Sequence, residues 1–204
     1  MRSLAVFIFL TFLPVISFAG DRTVPERRIT YGAEWGYILT FFSGYHNNFF
    51  SPDGWRVDEK DHGSACYSNA EVYLHMGYNI SDYWNLSAYL GYTSLHDMNH
   101  CVPISLRATR YFNSNMKGDR WLSYVDLGGG ISIKKDPQEV FIGKVGTGYR
   151  LSLSERTKMD ILASLRMSYG HSDVNFENTQ INIERINRNN IYGCGLSIGV
   201  SLTF

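Results

Sequence analysis

The fold class that the sequence predicts is all-β: an eight-stranded, antiparallel, up-and-down transmembrane β-barrel. Three observations predict it. Apolar residues recur at every second position in eight separate segments, the connections between segments are alternately short and longer, and the apolar faces carry aromatic rings at both ends. Period-two alternation marks a strand with two unlike faces. An even strand number lets bacterial barrels close with both termini on one side.

The first residues read as a leader. Met1-Arg2-Ser3 is a short positive start, residues 4–16 are an apolar run, and Ser17-Phe18-Ala19 places small residues where a signal peptidase cuts. That run falls short of the ~20 residues a helical span needs. The expected organisation is a cleaved signal peptide at 1–19, a periplasmic tether at 20–27 and a barrel at 28–204. No Cys follows the cleavage site, so a lipoprotein anchor has no support. No second long apolar segment appears, but barrel strands are only half apolar and escape a hydropathy scan.

The last segment shows the pattern most plainly. Tyr192, Cys194, Leu196, Ile198, Val200, Leu202 and Phe204 alternate with Gly193, Gly195, Ser197, Gly199, Ser201 and Thr203. The first sets Ile29, Tyr31, Ala33, Trp35, Tyr37, Leu39 and Phe41 against Thr30, Gly32, Glu34 and Gly36. The second has Val72, Leu74, Met76 and Tyr78 against Glu71, Tyr73 and His75; the third, Leu86, Ala88, Leu90 and Tyr92 against Ser87 and Tyr89. The fourth has Ile104, Leu106, Ala108 and Phe112 against Ser105, Arg107 and Thr109; the fifth, Trp121, Val125, Leu127 and Ile131 against Tyr124, Asp126 and Gly128. The sixth has Phe141, Val145, Tyr149 and Leu151 against Lys144, Gly146 and Arg150; the seventh, Met159, Ile161, Leu165, Met167 and Tyr169 against Asp160, Ser164 and Arg166. Connections at 80–84, 113–120 and 154–158 read as short turns. Those at 43–65 and 171–190 read as long loops, with 96–102 and 134–139 intermediate. The short-turn end is the periplasmic one in such barrels.

Alternation does not say which face meets water, and a secreted soluble barrel with an apolar interior is the rival. Three features favour the membrane. The polar face is rich in Gly, Ser and Thr, with few of the Lys and Glu residues of a solvated surface. Its charges balance, Glu34, Glu71, Asp126 and Asp160 against Arg107, Lys144, Arg150 and Arg166. An eight-stranded barrel is just wide enough for side chains to fill, so these charges are expected to pair inside. Finally, Tyr31, Tyr78, Phe112, Trp121 and Phe204 mark the short-turn end, and Phe41, Tyr92, Phe141, Tyr169 and Tyr192 the loop end, as two interfacial girdles.

On strand count, loop alternation and the Gly-Leu-Ser-Ile-Gly-Val-Ser-Leu-Thr-Phe ending, residues 28–204 resemble the small eight-stranded outer-membrane barrels of the OmpA/OmpX type. The resemblance implies outer-membrane lipid as the surroundings and the barrel assembly machinery as a transient partner reading the ending at Phe204. It transfers no function.

Little in the chain points to catalysis. The lumen charges read as a salt-bridged plug rather than a conduction path, because unpaired charges there would be costly. His171-Ser172-Asp173 differs from the His-x-Ser-Asn pattern of outer-membrane lipid A deacylases. Adjacent strand residues point to opposite faces, so His171 is poorly placed as a base for Ser172. His62, His75, His96 and His100 lack metal-ligand spacing, and neither metal nor cofactor is expected. Cys66, Cys101 and Cys194 make an odd count; Cys66 and Cys101 share the loop end, where a bridge between them is open to question. Neutral net charge without a basic stripe argues against nucleic acid.

The functional expectation therefore falls on the loops. Tyr45, Phe49, Phe50 and Trp55, interspersed with Asn47, Asn48, Asp53, Arg56, Asp58 and Glu59, read as a contact surface or a lid over the mouth. Val174, Phe176, Ile181 and Ile183 read as extending the last two strands, an edge able to add a strand from another outer-membrane protein. The expected role is a non-enzymatic outer-membrane protein with a structural, adhesion or docking function. A narrow small-solute channel is the second reading and a lipid A-modifying hydrolase the third.

Overall fold

The computed structural model describes residues 28–95, 100–113, 115, 117–133, 137–171, 174–176 and 179–204. The expected leader and tether lie outside them. Eight long strands form the wall: β1 (Ile29–Phe50), β2 (Arg56–Asn79), β3 (Trp84–Ser94), β4 (His100–Tyr111), β5 (Arg120–Ser132), β6 (Glu139–Ser152), β7 (Lys158–His171) and β10 (Ile186–Thr203). Each pairs antiparallel with its sequence neighbours, and β10 returns to β1 to close the ring. Between β7 and β10 lie a two-stranded ribbon, β8 (Asn175–Phe176) with β9 (Thr179–Gln180), and a single 3-10 turn.

Alternation becomes inside and outside. Along β4, Cys101, Pro103, Ser105, Arg107, Thr109 and Tyr111 point inward and are buried, while Ile104 and Leu106 are 62% and 60% exposed. The same holds for Leu74 and Ile198, at 64% and 66%. A belt of bare aliphatic side chains around buried charges inverts a water-soluble core, and it suits a hydrocarbon surround. Aromatics bound the belt: Tyr31 stacks on Phe204 at 5.9 Å and Trp121 meets Tyr149 edge-on at 5.1 Å at the short-turn end. There too the Arg110 guanidinium lies 5.8 Å from both the Trp84 and Phe112 rings, a cation placed as interfacial anchors are.

The segment read as a long loop at 43–65 is not one. β1 and β2 continue through it and stay paired from Phe42↔Ser64 to Phe50↔Arg56. The reason it escaped is a β-bulge at Phe41, where the register skips on both sides of β1. A bulge inserts one residue and reverses the facing of everything beyond it, so Phe42, not Ser43, joins the outer face, against Tyr192. Further out the sheet meets no lipid, and only a small local core is buried there, so no alternation is required. Two other boundaries move as well. Arg120 is the first residue of β5 rather than the end of a turn, and β10 begins at Ile186, well before Tyr192.

The hairpin closes at Ser51–Trp55, where the Ser51 amide donates to the Trp55 carbonyl at 2.9 Å and Gly54 adopts φ +88°. An L side chain there costs about 1–2 kcal/mol. Gly54→Ala is therefore expected to speed amide exchange in Asn47–Phe50 and Arg56–Glu59 about tenfold. Exchange of the membrane-spanning amides, followed by NMR in micelles, should not change.

Candidate functional site: a filled lumen and a projecting sheet

Three ionic groups fill the barrel from its loop end to its short-turn end. Uppermost, Lys144 Nζ lies 2.8 Å from Glu71 Oε2, an ion pair by charge and distance rather than an aligned hydrogen bond, and 4.5 Å from the Tyr73 ring. Arg166 stands 3.9 Å from the same carboxylate, which also accepts from Ser197 Oγ at 2.7 Å. In the middle, Arg107 serves two acids. Its Nη2 donates to Glu34 Oε1 at 3.0 Å and to Asp126 Oδ2 at 2.9 Å, and its carbon lies 4.1 Å and 4.4 Å from the Tyr89 and Tyr124 rings. Lowest, Arg150 grips Asp160 with two bonds of 2.6 and 2.7 Å and lies over Tyr111 at 4.6 Å. All eight of these charges are buried.

Small residues make that density attainable. A β-carbon at Gly91 would sit 2.2 Å from the Tyr73 ring, and one at Gly146 2.7 Å from Tyr124. The strands thus leave floor space beneath the two rings.

The inner face also contains apolar layers that the Gly/Ser/Thr pattern did not announce. Leu95, Cys101, Val140 and Ile142 cap the loop end, and Tyr111, Leu122, Tyr124 and Leu162 form a lower layer. The signal was present as breaks in the alternation: Leu122, Ile142 and Leu162 all occupy inward parity. Around the lower ions remains a cavity of about 20 Å³, room for about one water.

Beyond the loop-end girdle, β2, β1 and β10 form a three-stranded sheet with its own small core. Phe49 is enclosed there with Val174 and Ile181, backed by Val57, Phe176 and Ile186. Phe49 is therefore a packing residue and not part of a contact surface. Tyr45 is half-buried and donates to Glu59 at 2.8 Å, which raises its phenol pKa. Phe50 and Trp55 stay exposed at the tip, Trp55 edge-on to Phe176 at 5.5 Å. Arg185 fastens the tip through the Ser51 and Pro52 carbonyls, both at 3.3 Å.

The cysteines do not bridge. Cys66 is exposed, Cys101 is fully enclosed on the inner face, and Cys194 points outward beside Phe42 and Met167, so all three are free thiols. His171 ends β7 half-buried, while Ser172 and Asp173 lie outside the described residues.

No protein-family model matches the chain, and neither does any curated protein. Solved structures do. The outer membrane protein OprG from Pseudomonas aeruginosa aligns at a TM-score of 0.51 and 9% identity, over 86% of this chain and 95% of that one. The N-terminal β-barrel domain of Pseudomonas aeruginosa OprF aligns at 0.43 and 18%, over 85% and 99%, and Neisserial surface protein A at 0.42 and 16%, over 83% and 97%. The class that this fold defines is the small eight-stranded antiparallel barrel, the architecture it shares with OprG. At such identities the likeness is one of architecture alone.

Two outcomes follow from this geometry. Arg107→Met strands two buried carboxylates and should cost about 3–5 kcal/mol. Adding Glu34→Gln and Asp126→Asn should return most of that loss, as read from urea unfolding in micelles by gel mobility. At the sheet, Asp58 is held below the usual carboxylate range, chiefly by the hydrogen bond from His46 at 2.8 Å. A depressed carboxyl contributes order above its unfolded pKa, near 4, and loses it as pH falls through the folded value. Exchange near His46 and Asp58 should quicken below about pH 4, and less so in a His46→Gln variant.

Proposed function

We propose that this protein is a non-enzymatic integral protein of the bacterial outer membrane. Its lumen acts as a sealed structural plug. The sheet beyond the loop-end girdle is then extracellular and acts as a structural, adhesion or partner-docking element. Outer-membrane lipid surrounds the belt, and the ending at Phe204 serves the assembly machinery as its signal.

One observation carries the docking reading. β3 pairs with β2 only from Glu71 toward Asn79, so, among the described residues, positions 56–70 of β2 have β1 on one side and no barrel strand on the other. An unpaired strand edge can accept a strand from another chain. The paired lumen ions and the small residual cavity support a closed barrel over the narrow-channel reading.

A photo-crosslinking residue at Asp58 or Lys60, on the open edge, is expected to capture a discrete protein in cells, and one at Leu106, in the lipid belt, to capture none. Reconstituted protein should pass no steady current across a planar bilayer. Large ohmic currents would transfer the reading to the channel, and an edge without adducts would remove the docking role.

A further inference from the structure

Arg120 stands outside the charge balance of the lumen. It opens β5 and is only 3% exposed. Its Nη1 donates to the backbone carbonyls of Asp82 at 2.8 Å and Asn113 at 3.2 Å, and its guanidinium lies 3.7 Å from the Tyr111 ring centroid. Its Nε is buried and has no partner, and among the described residues no carboxylate forms an ion pair with it.

Arg120 is among the residues lining an open cavity of about 260 Å³ at the short-turn end. Lys117, Arg150, Arg156 and Lys158 also line it, against the Glu155 side chain and the terminal carboxylate of Phe204. Arg150 is already matched by Asp160. Lys158 is held by neutral acceptors, Ser152 Oγ at 2.6 Å and the Ser154 carbonyl at 3.0 Å. Basic groups outnumber acidic ones in this lining even with Arg150 matched, and the low-dielectric walls concentrate that positive field on whatever enters. A buried cation without a counter-ion is costly, and a bound anion would remove that cost.

We propose that this vestibule binds a phosphoryl-bearing anion arriving from the short-turn, periplasm-facing side. Several Lys and Arg groups converge from wall and rim, which a tetrahedral oxyanion can engage together through charge-assisted bonds. A carboxylate offers two oxygens in one plane and meets fewer of them. The cavity exceeds a bare phosphate, leaving room for the esterified group. The Arg150–Asp160 pair and Tyr111 lie on the lumen side, so the site is a terminus and not a passage. A soluble phosphate compound and a lipid headgroup share this chemistry.

The test uses the folded protein in maltoside micelles, which contain no phosphate, and follows the Arg120 Nε–H signal by ¹⁵N–¹H NMR, assigned by its loss in Arg120→Lys. Inorganic phosphate is expected to shift that signal saturably, and Arg156→Gln with Lys158→Gln to weaken the binding about tenfold without altering the folded gel mobility. A second sample in phosphatidylglycerol nanodiscs separates the sources. A signal already displaced before phosphate is added indicates the headgroup, and an undisplaced one that still responds to phosphate indicates a soluble ligand. No response in either medium overturns the proposal, as does a response that the double variant leaves unchanged.

Discussion

Arg107 faces two carboxylates inside a closed cylinder, and the barrel depends on that arrangement and its two counterparts. The lumen is too narrow for bulk water, so each buried charge must find its opposite among side chains. Glu34 and Asp126 answer Arg107, Asp160 answers Arg150, and Glu71 answers Lys144 with Arg166 beside it. Tyrosine rings also lie against the cations, adding attraction beside the ion pairs. A polar interior of this kind lets the exterior be wholly apolar without leaving the chain hydrophobic in sequence. The mean composition looks soluble for that reason.

The wall and the sheet above it obey different rules, and the bulge at Phe41 divides them. Below it, β1 is held on one face by lipid and on the other by the ionic core, so parity is strict. Above it, the strand has no lipid to satisfy. Its stability comes from a separate small core around Phe49 and from cross-strand polar bonds such as Tyr45–Glu59 and Arg56–Asn48. The two proposed surfaces lie where the closed ring ends: the β2 edge that β3 leaves uncovered at the loop end and the basic vestibule at the other.

What could be read directly was whatever period two encodes. The strands, their even number, the inward direction of Glu71 or Arg166 and the outward direction of Cys194 follow from parity alone. Features that interrupt parity were harder to read. Leu122, Ile142 and Leu162 were visible as apolar residues on the polar phase, and the apolar layers were recoverable from them. Arg120 sits beside a turn, where a charged residue is ordinarily solvated, and nothing local marks it as buried.

The sequence by itself determined the class of fold, because a two-residue period with aromatic ends admits few arrangements that satisfy every backbone group in lipid. It also determined which charges share the interior. Tertiary structure decided the rest: which acid meets which base, that β1 and β2 run on past the girdle, that Phe49 is covered and that Cys101 is enclosed while Cys66 stays exposed. These depend on register, bulge position and closure of β10 onto β1. All three are relations between residues far apart in the chain, and no local pattern carries them.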